Sequence, residues 1–216
     1  MAVTNIGLVE HCKKALNEKW GYVYGSWGQI LSEALLQSKL NQYPDRVKQY
    51  ESFIRGNWIS KRTVDCVGLI KSYMWWTPAG PVYNSKTDKS ANGMFEAAKE
   101  KGPLNTIPEI PGICVRKDQH IGVYIGGGQV IESKGTKYGV VQTPLTGAGA
   151  NSWTHWLKCP YVEYAEPADE LKEALEFIGK KGCITPDYWY KKAQEISYLD
   201  IAFKNIAETW RRENER

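Results

Sequence analysis

Residues 120–133, HIGVYIGGGQVIES, constrain the fold more than any other stretch of the chain. Two alternating segments flank Gly126-Gly127-Gly128, and that pattern reads as a β-hairpin. If the three glycines form the loop, Ile125 faces Gln129 and Glu132 pairs with Gly122. Glu132 then lies diagonal to His120 on the same face. The opposite face carries Ile121, Val123, Ile125 and Ile131, an apolar set suited to packing on helices. A two-residue loop would place Glu132 among those apolar residues, because a one-residue slip sends every side chain to the other face. The alternation therefore selects the first register, and that register joins a histidine to a carboxylate.

The surrounding pattern predicts helices first and strands afterwards. The helices are expected over 5–18 (Asn5 as N-cap), 28–41, 44–55, about 66–76, and 90–101, the last closed by Gly102-Pro103. Pro44 and Asp45 open the third, and Gly56 lies just past its end. Trp20 to Gly25 reads as a short extended segment ending in a turn. After Pro111-Gly112 the strands are expected at 113–116, 120–125, 129–134, 138–143 and 156–163. Beyond Glu166-Pro167 follow three amphipathic stretches, 168–181, 186–195 and 198–212. The layout is α+β: a domain of residues 1–165, with a helical insertion at about 27–60, and a small helical domain of residues 166–216.

Composition narrows the function. The 216 residues are 42% hydrophobic and 24% charged, which excludes wholesale disorder. Residues 1–165 carry a net +6 and residues 166–216 a net −2. No basic run or nucleic-acid motif accompanies that charge, so it reads as a solvated surface and nucleic acid is not an expected partner. The chain has no run approaching the ~20 apolar residues of a membrane span. It also shows no signal-peptide pattern, so synthesis in the cytoplasm is expected. Its five cysteines, Cys12, Cys66, Cys114, Cys159 and Cys183, are odd in number and include no CxxC pair. Neither a disulfide framework nor a zinc site is expected. Nine Trp and 13 Tyr would suit a groove for sugars or peptides, although core packing is their commoner use.

The chemistry centres on Asp65-Cys66-Val67-Gly68, where an extended segment meets a helix. A helix N-terminus favours negative charge and so favours a thiolate. On these residues alone Cys66 reads equally as a nucleophile or as a buried core cysteine. His120 and Glu132 supply a base and its orienting partner, which completes a Cys-His-acid relay. His11 is expected on a helix surface, His155 in a structural role and Cys114 in the core. Glu109, Asp118 and Glu163 show no pairing. No metal-ligand spacing and no phosphate-cradling loop is present, so no cofactor is expected.

The motifs DCVGLI and, some fifty residues on, HIGVYIGGGQVIES together resemble the NlpC/P60 family of papain-like cell-wall peptidases, over roughly residues 8–163. The resemblance implies a papain-like fold with N-terminal helices on an antiparallel sheet, and Cys66, His120 and Glu132 as the catalytic triad. Tyr22-Val23-Tyr24-Gly25 is similar to a family segment whose first Tyr lines the site, which points to Tyr22. Asp65 matches an Asp that helps recognise the free amine of the peptide stem, and Val67 stands where a Ser usually contacts substrate. Glu132 replaces a more usual His, Asn or Gln. Ile113 replaces the Asp of a Pro-Gly-Asp strand start, and about 39 residues between Gly25 and Asp65 form an unusually long insertion.

The implied activity is hydrolysis of a γ-D-glutamyl to diamino-acid bond in peptidoglycan stems or muropeptides. A CHAP-type N-acetylmuramoyl-L-alanine amidase, another papain-like acyl-transfer enzyme, and a non-catalytic wall-binding or virion structural protein are the rivals. A phage or prophage lysin acting on the wall after release, or a cytoplasmic enzyme acting on muropeptides, fits this set. The tail resembles small C-terminal helical segments of Gram-positive bacterial and phage proteins, consistent with docking, wall attachment or oligomerisation.

Overall fold

The computed structural model describes residues 3–164, 167–180, 184–195 and 199–214. The chain divides into two compact units, Met1–Tyr164 and Ala165–Arg216. Glu166 and Cys183 lie outside the described residues.

The first unit runs α1 (Asn5–Asn17), β1 (Trp27–Ile30), α2 (Glu33–Gln42), α3 (Pro44–Val47), α4 (Glu51–Asn57), β2 (Arg62–Val64) and α5 (Cys66–Met74). It continues with β3 (Trp76–Thr77), β4 (Gly80–Pro81), α6 (Ala91–Ala97), β5 (Lys101–Pro103) and β6 (Cys114–Lys117). β7 (His120–Gly126), β8 (Gln129–Gly135), β9 (Gly139–Pro144) and β10 (His155–Leu157) complete it. Six strands form one sheet in the order β5-β10-β6-β7-β8-β9, antiparallel throughout. The architecture is α+β.

One face of the sheet packs on α1 and α5. Leu8, Cys12 and Ala15 of α1 meet Leu69 and Ile70 of α5 and Ile121, Val123 and Ile131 of the β7–β8 hairpin. Burying an aliphatic side chain of this size is worth about 1.5–3 kcal/mol, so this layer fixes where α5 begins. The other face buries Val115, Tyr124 and Val130 under Trp153.

The hairpin has the expected register in its body and a different tip. Val123 pairs with Ile131 and Tyr124 with Val130, but Gly126 pairs with Gln129 across an irregularity. The turn is therefore the two residues Gly127-Gly128, at φ +58° and +69°, which suits a primed turn. Ile125 is the extra residue of a bulge, and the bulge restores the register that a two-residue turn would have inverted. Glu109 braces the turn, accepting from Tyr124 Oη at 2.5 Å and from Gly127 N–H at 2.9 Å.

Several boundaries differ from the sequence expectation. Thr4 caps α1, accepting from Gly7 N–H at 3.1 Å, while the Asn5 amide donates to Pro111 O at 3.0 Å. Residues 27–30 form β1, paired with β2, and α2 starts only after Ser32 caps Leu35 N–H at 3.1 Å. The expected 44–55 helix is broken by a 3-10 turn at Lys48–Tyr50, and Gly56 lies inside α4. α6 stops at Ala97 because Lys101–Pro103 joins the sheet edge beside β10. β10 itself is only His155–Leu157 and shares just two residues with the expected 156–163 strand. The segment around α2 to α4 has its own small core of Val23, Leu31, Leu36, Val47 and Ile54.

The second unit contains α7 (Pro167–Lys180), α8 (Pro186–Glu195) and α9 (Leu199–Asn214). Leu171, Leu175, Ile178, Phe203 and Ala207 form its core. Among the described residues no helix is long and apolar enough to cross a membrane.

Candidate active site

Cys66 is the first residue of α5, and the local sequence explains its position. Asp65 is the N-cap: its Oδ1 accepts from Gly68 N–H at 2.6 Å. Asp65 Oδ2 accepts from Gly25 N–H at 2.9 Å, which ties the Tyr22–Gly25 segment to the helix start. Asp65 N–H donates to Ser26 O at 2.9 Å. Gly68 is required by that contact, since a Cβ there would collide with the Ser26 carbonyl oxygen. Its role in the fold is close packing. Ser133 Oγ on β8 donates to Val64 O at 3.0 Å, which fixes the approach to Cys66 from the sheet side.

His120 and Glu132 come together as the hairpin register requires. His120 Nε2 lies 2.7 Å from Glu132 Oε2. Glu132 is fully buried, and its Oε1 accepts from Thr143 Oγ1 at 2.8 Å. Asn151 Nδ2 donates to Oε2 as well. Burial works against the ionised carboxyl, yet the His120, Thr143 and Asn151 hydrogen bonds hold it below the usual glutamate range. The His120 ring also stacks on Trp153, with centroids 5.3 Å apart and planes 9° from parallel. The imidazole is thus fixed at one nitrogen and on one face.

The Cys66 thiol lies beside this pair without being hydrogen-bonded to it. Sγ donates to Gln119 O at 3.8 Å. Gln119 has φ +57° and with Asp118 forms the two-residue turn that joins Lys117 to its partner His120. Asn92 on α6 clamps that turn: its Oδ1 accepts from Gln119 N–H at 3.0 Å and from Arg116 at 2.9 Å. Its Nδ2 donates to Asp118 Oδ1 at 2.8 Å. Burial, with the nearby Asp65 charge, pushes the Cys66 thiol up to about 12.

Tyr22, Asp65, Cys66, Val67 and His120 all line one cleft of about 790 Å³, with Glu132 behind His120 and outside the lining. Val67 is buried at its wall. Burial raises the Tyr22 phenol above its ordinary range and also raises the Asp65 carboxyl, the latter against the pull of the Gly68 and Gly25 amides.

His11, expected on a surface, is buried. Its Nε2 lies 2.7 Å from Ser72 Oγ on α5, with the Trp20 and Trp76 rings edge-on at 5.4 and 5.3 Å. Burial, then Lys14 and Arg62, lower its pKa to about 4. His155 bonds Thr154 Oγ1 at 3.0 Å and packs on Phe95.

Thr143, Asn151, Trp153, Gln119 and Asn92 were not singled out by the sequence. Only Thr143 carried a usable signal. Pairing β9 to β8 puts Val141 opposite Glu132 and Val130 opposite Thr143, so Thr143 is diagonal to Glu132 on one face. The others lie in turns, in an irregular loop or at a helix start, where no period applies.

No protein-family model and no curated protein matches the chain. Among solved structures, the P60 domain of an antigen from M. avium subspecies paratuberculosis is similar over 74% of this chain and 98% of its own, at 17% identity and a TM-score of 0.39. The peptidoglycan hydrolase RipB from Mycobacterium tuberculosis is similar over 74% of this chain and 67% of its own, at 15% identity and a TM-score of 0.39. At these values neither neighbour decides the chemistry, which rests on the residues.

Proposed function

We propose that this chain is a cysteine hydrolase of the NlpC/P60 type that cleaves peptidoglycan stem peptides at the γ-D-glutamyl to diamino-acid bond. The observation that carries this reading is the buried Glu132 hydrogen-bonded to His120 beside a thiol at a helix N-terminus, with the histidine and the thiol lining one cleft. The choice of bond comes from the resemblance of the DCVGLI and HIGVYI motifs.

The chemistry follows from the geometry. With Nε2 held by Glu132, Nδ1 is the nitrogen left for the thiol. Cys66 Sγ turns from Gln119 O, passes its proton to Nδ1 and attacks the amide carbonyl carbon. The first-turn N–H groups of Cys66 and Val67, which the helix itself leaves unpaired, receive the oxyanion. Collapse breaks the C–N bond, and the imidazolium gives its proton to the departing amine. Water then attacks the thioester with His120 as base, which breaks the C–S bond and returns the thiol. Glu132 stabilises the imidazolium and keeps the ring oriented. Each Asp65 oxygen accepts a single backbone N–H, which leaves lone pairs for the substrate ammonium beside Tyr22.

Digestion of purified muropeptides, read by mass spectrometry, tests this. The expected products are cut between the D-glutamyl and diamino-acid residues, and Cys66→Ala yields none. A cut between muramic acid and L-alanine would place the chain with the CHAP-type amidases. Wild type no different from Cys66→Ala would leave a non-catalytic wall-binding or virion protein.

A further inference from the structure

The long insertion between Gly25 and Asp65 brings α2 to the cleft, and with it an ammonium that pairs with no carboxylate among the described residues. Lys39 on α2 is only 8% exposed and lines the same cleft as Cys66 and His120. A buried ammonium is costly unless an anion or several acceptors meet it. Lys39 Nζ donates to Gln42 Oε1 at 3.1 Å on its own helix and lies 5.7 Å from the centre of the Tyr43 ring. Among the described residues no carboxylate lies within ion-pair distance of it.

The two acids whose charge reaches Lys39 are Asp65 and Asp88; burial still lowers its pKa against their pull. Both acids are directed at other partners. Asp65 holds the Gly68 and Gly25 amides. Asp88 pairs with Lys71 and accepts from Tyr83 Oη at 2.9 Å.

Lys39 is also linked to the nucleophile by contacts. Tyr43 packs on Gly25, where a Cβ would strike its ring. Gly25 N–H is held by Asp65, the residue before Cys66. A second cation of the insertion, Arg46, lines the same cleft and stacks over Tyr24 at 5.6 Å.

We propose that Lys39 is a carboxylate-binding subsite, through which the inserted helices select acidic peptides that carry a free carboxylate near the scissile amide. This rests on the reading of the cleft as a peptide hydrolase site and names its substrate class. The anion completes the shell that Gln42 and Tyr43 leave open, so the preference is for a charged carboxylate over a carboxamide of the same shape.

The test uses the full chain carrying Cys66→Ala, which binds without turnover. The probes are L-Ala-γ-D-Glu-L-Lys and its two mono-amides, one at the glutamyl α-carboxyl and one at the C-terminal carboxyl, with calorimetry as the readout. One of the amides is expected to bind at least tenfold more weakly than the free acid. Adding Lys39→Met, which keeps the apolar stem, lowers free-acid binding to the level of that amide. Lys39→Gln does the same if the Met variant folds poorly, while Lys39→Arg keeps the difference.

Equal binding of all three peptides, no binding of any, or a difference that survives loss of the charge overturns the proposal. Lys39-dependent binding together with no cleavage by the wild-type chain would keep the subsite and sink the hydrolase reading instead.

Discussion

At the scale of single residues, the central object is a fully buried carboxylate that, among the described residues, has no Lys or Arg within ion-pair distance. Glu132 is charged for the sake of His120, since its other partners, Thr143 and Asn151, are neutral. Glu132→Gln keeps the shape and removes the charge. Stem-peptide turnover is expected to fall about 10²–10⁴-fold, the range that a positioned acid–base group contributes. Steady-state kinetics beside a thermal melt checks this, and the melting temperature should move little.

His11 gives a second expectation. Its folded pKa is about 4 against 6.5 for a free histidine, so the unfolded chain takes the proton first. Stability is then full above about pH 6.5 and declines as pH falls toward 4, by up to about 3 kcal/mol. Denaturant titrations across that range should show a slope that His11→Gln flattens. The His120–Glu132 pair was legible because strands repeat every two residues. Burial of His11 was not, because its partner Ser72 is 61 residues away and only the packing of α1 on α5 joins them.

At the scale of elements, the start of α5 is held by close approach and not by propensity. Asp65 caps the helix, Gly68 lies against Ser26 O and Ser133 holds Val64. Gly68→Ala forces the Ser26 carbonyl and the cap apart. It should cost about 1–3 kcal/mol and lower activity more than stability alone explains. Chemical denaturation and kcat/KM on the same preparation measure both.

The hairpin shows how element-level inference can reach the right register with the wrong turn. The alternation of β7 and β8 dictated which faces meet. The glycines could not reveal that the turn uses two of them and that Ile125 bulges to compensate. The insertion was harder still. Residues 27–30 are too short a run to declare a strand, and it is pairing with β2 that takes 28–30 out of the expected 28–41 helix and into β1. The expected 90–101 helix lost its end for the same reason: Lys101, with Gly102 and Pro103, finds a ladder partner distant in sequence.

At the scale of the whole molecule, the two units have separate cores, and all lining residues of the cleft belong to the first. A fragment of residues 1–164 is therefore expected to retain cleavage of soluble muropeptides within about twofold of the full chain. Loss of activity in a fragment that still folds would contradict this expectation. The order of helices and then strands was readable from the positions of Pro, Gly and apolar periodicity; the loop that seats Asn151 and Trp153 on the site was not.

The claim on which the rest depends is that Cys66 becomes covalently acylated. Rapid quenching of the enzyme with L-Ala-γ-D-Glu-L-Lys, followed by peptide mapping in a mass spectrometer, tests it most directly. The account predicts an L-alanyl-D-glutamyl adduct on the peptide that carries Cys66, lost on longer incubation and absent in Cys66→Ala. Full turnover by Cys66→Ala, or an adduct on Cys12, Cys114 or Cys159 in its place, would contradict it.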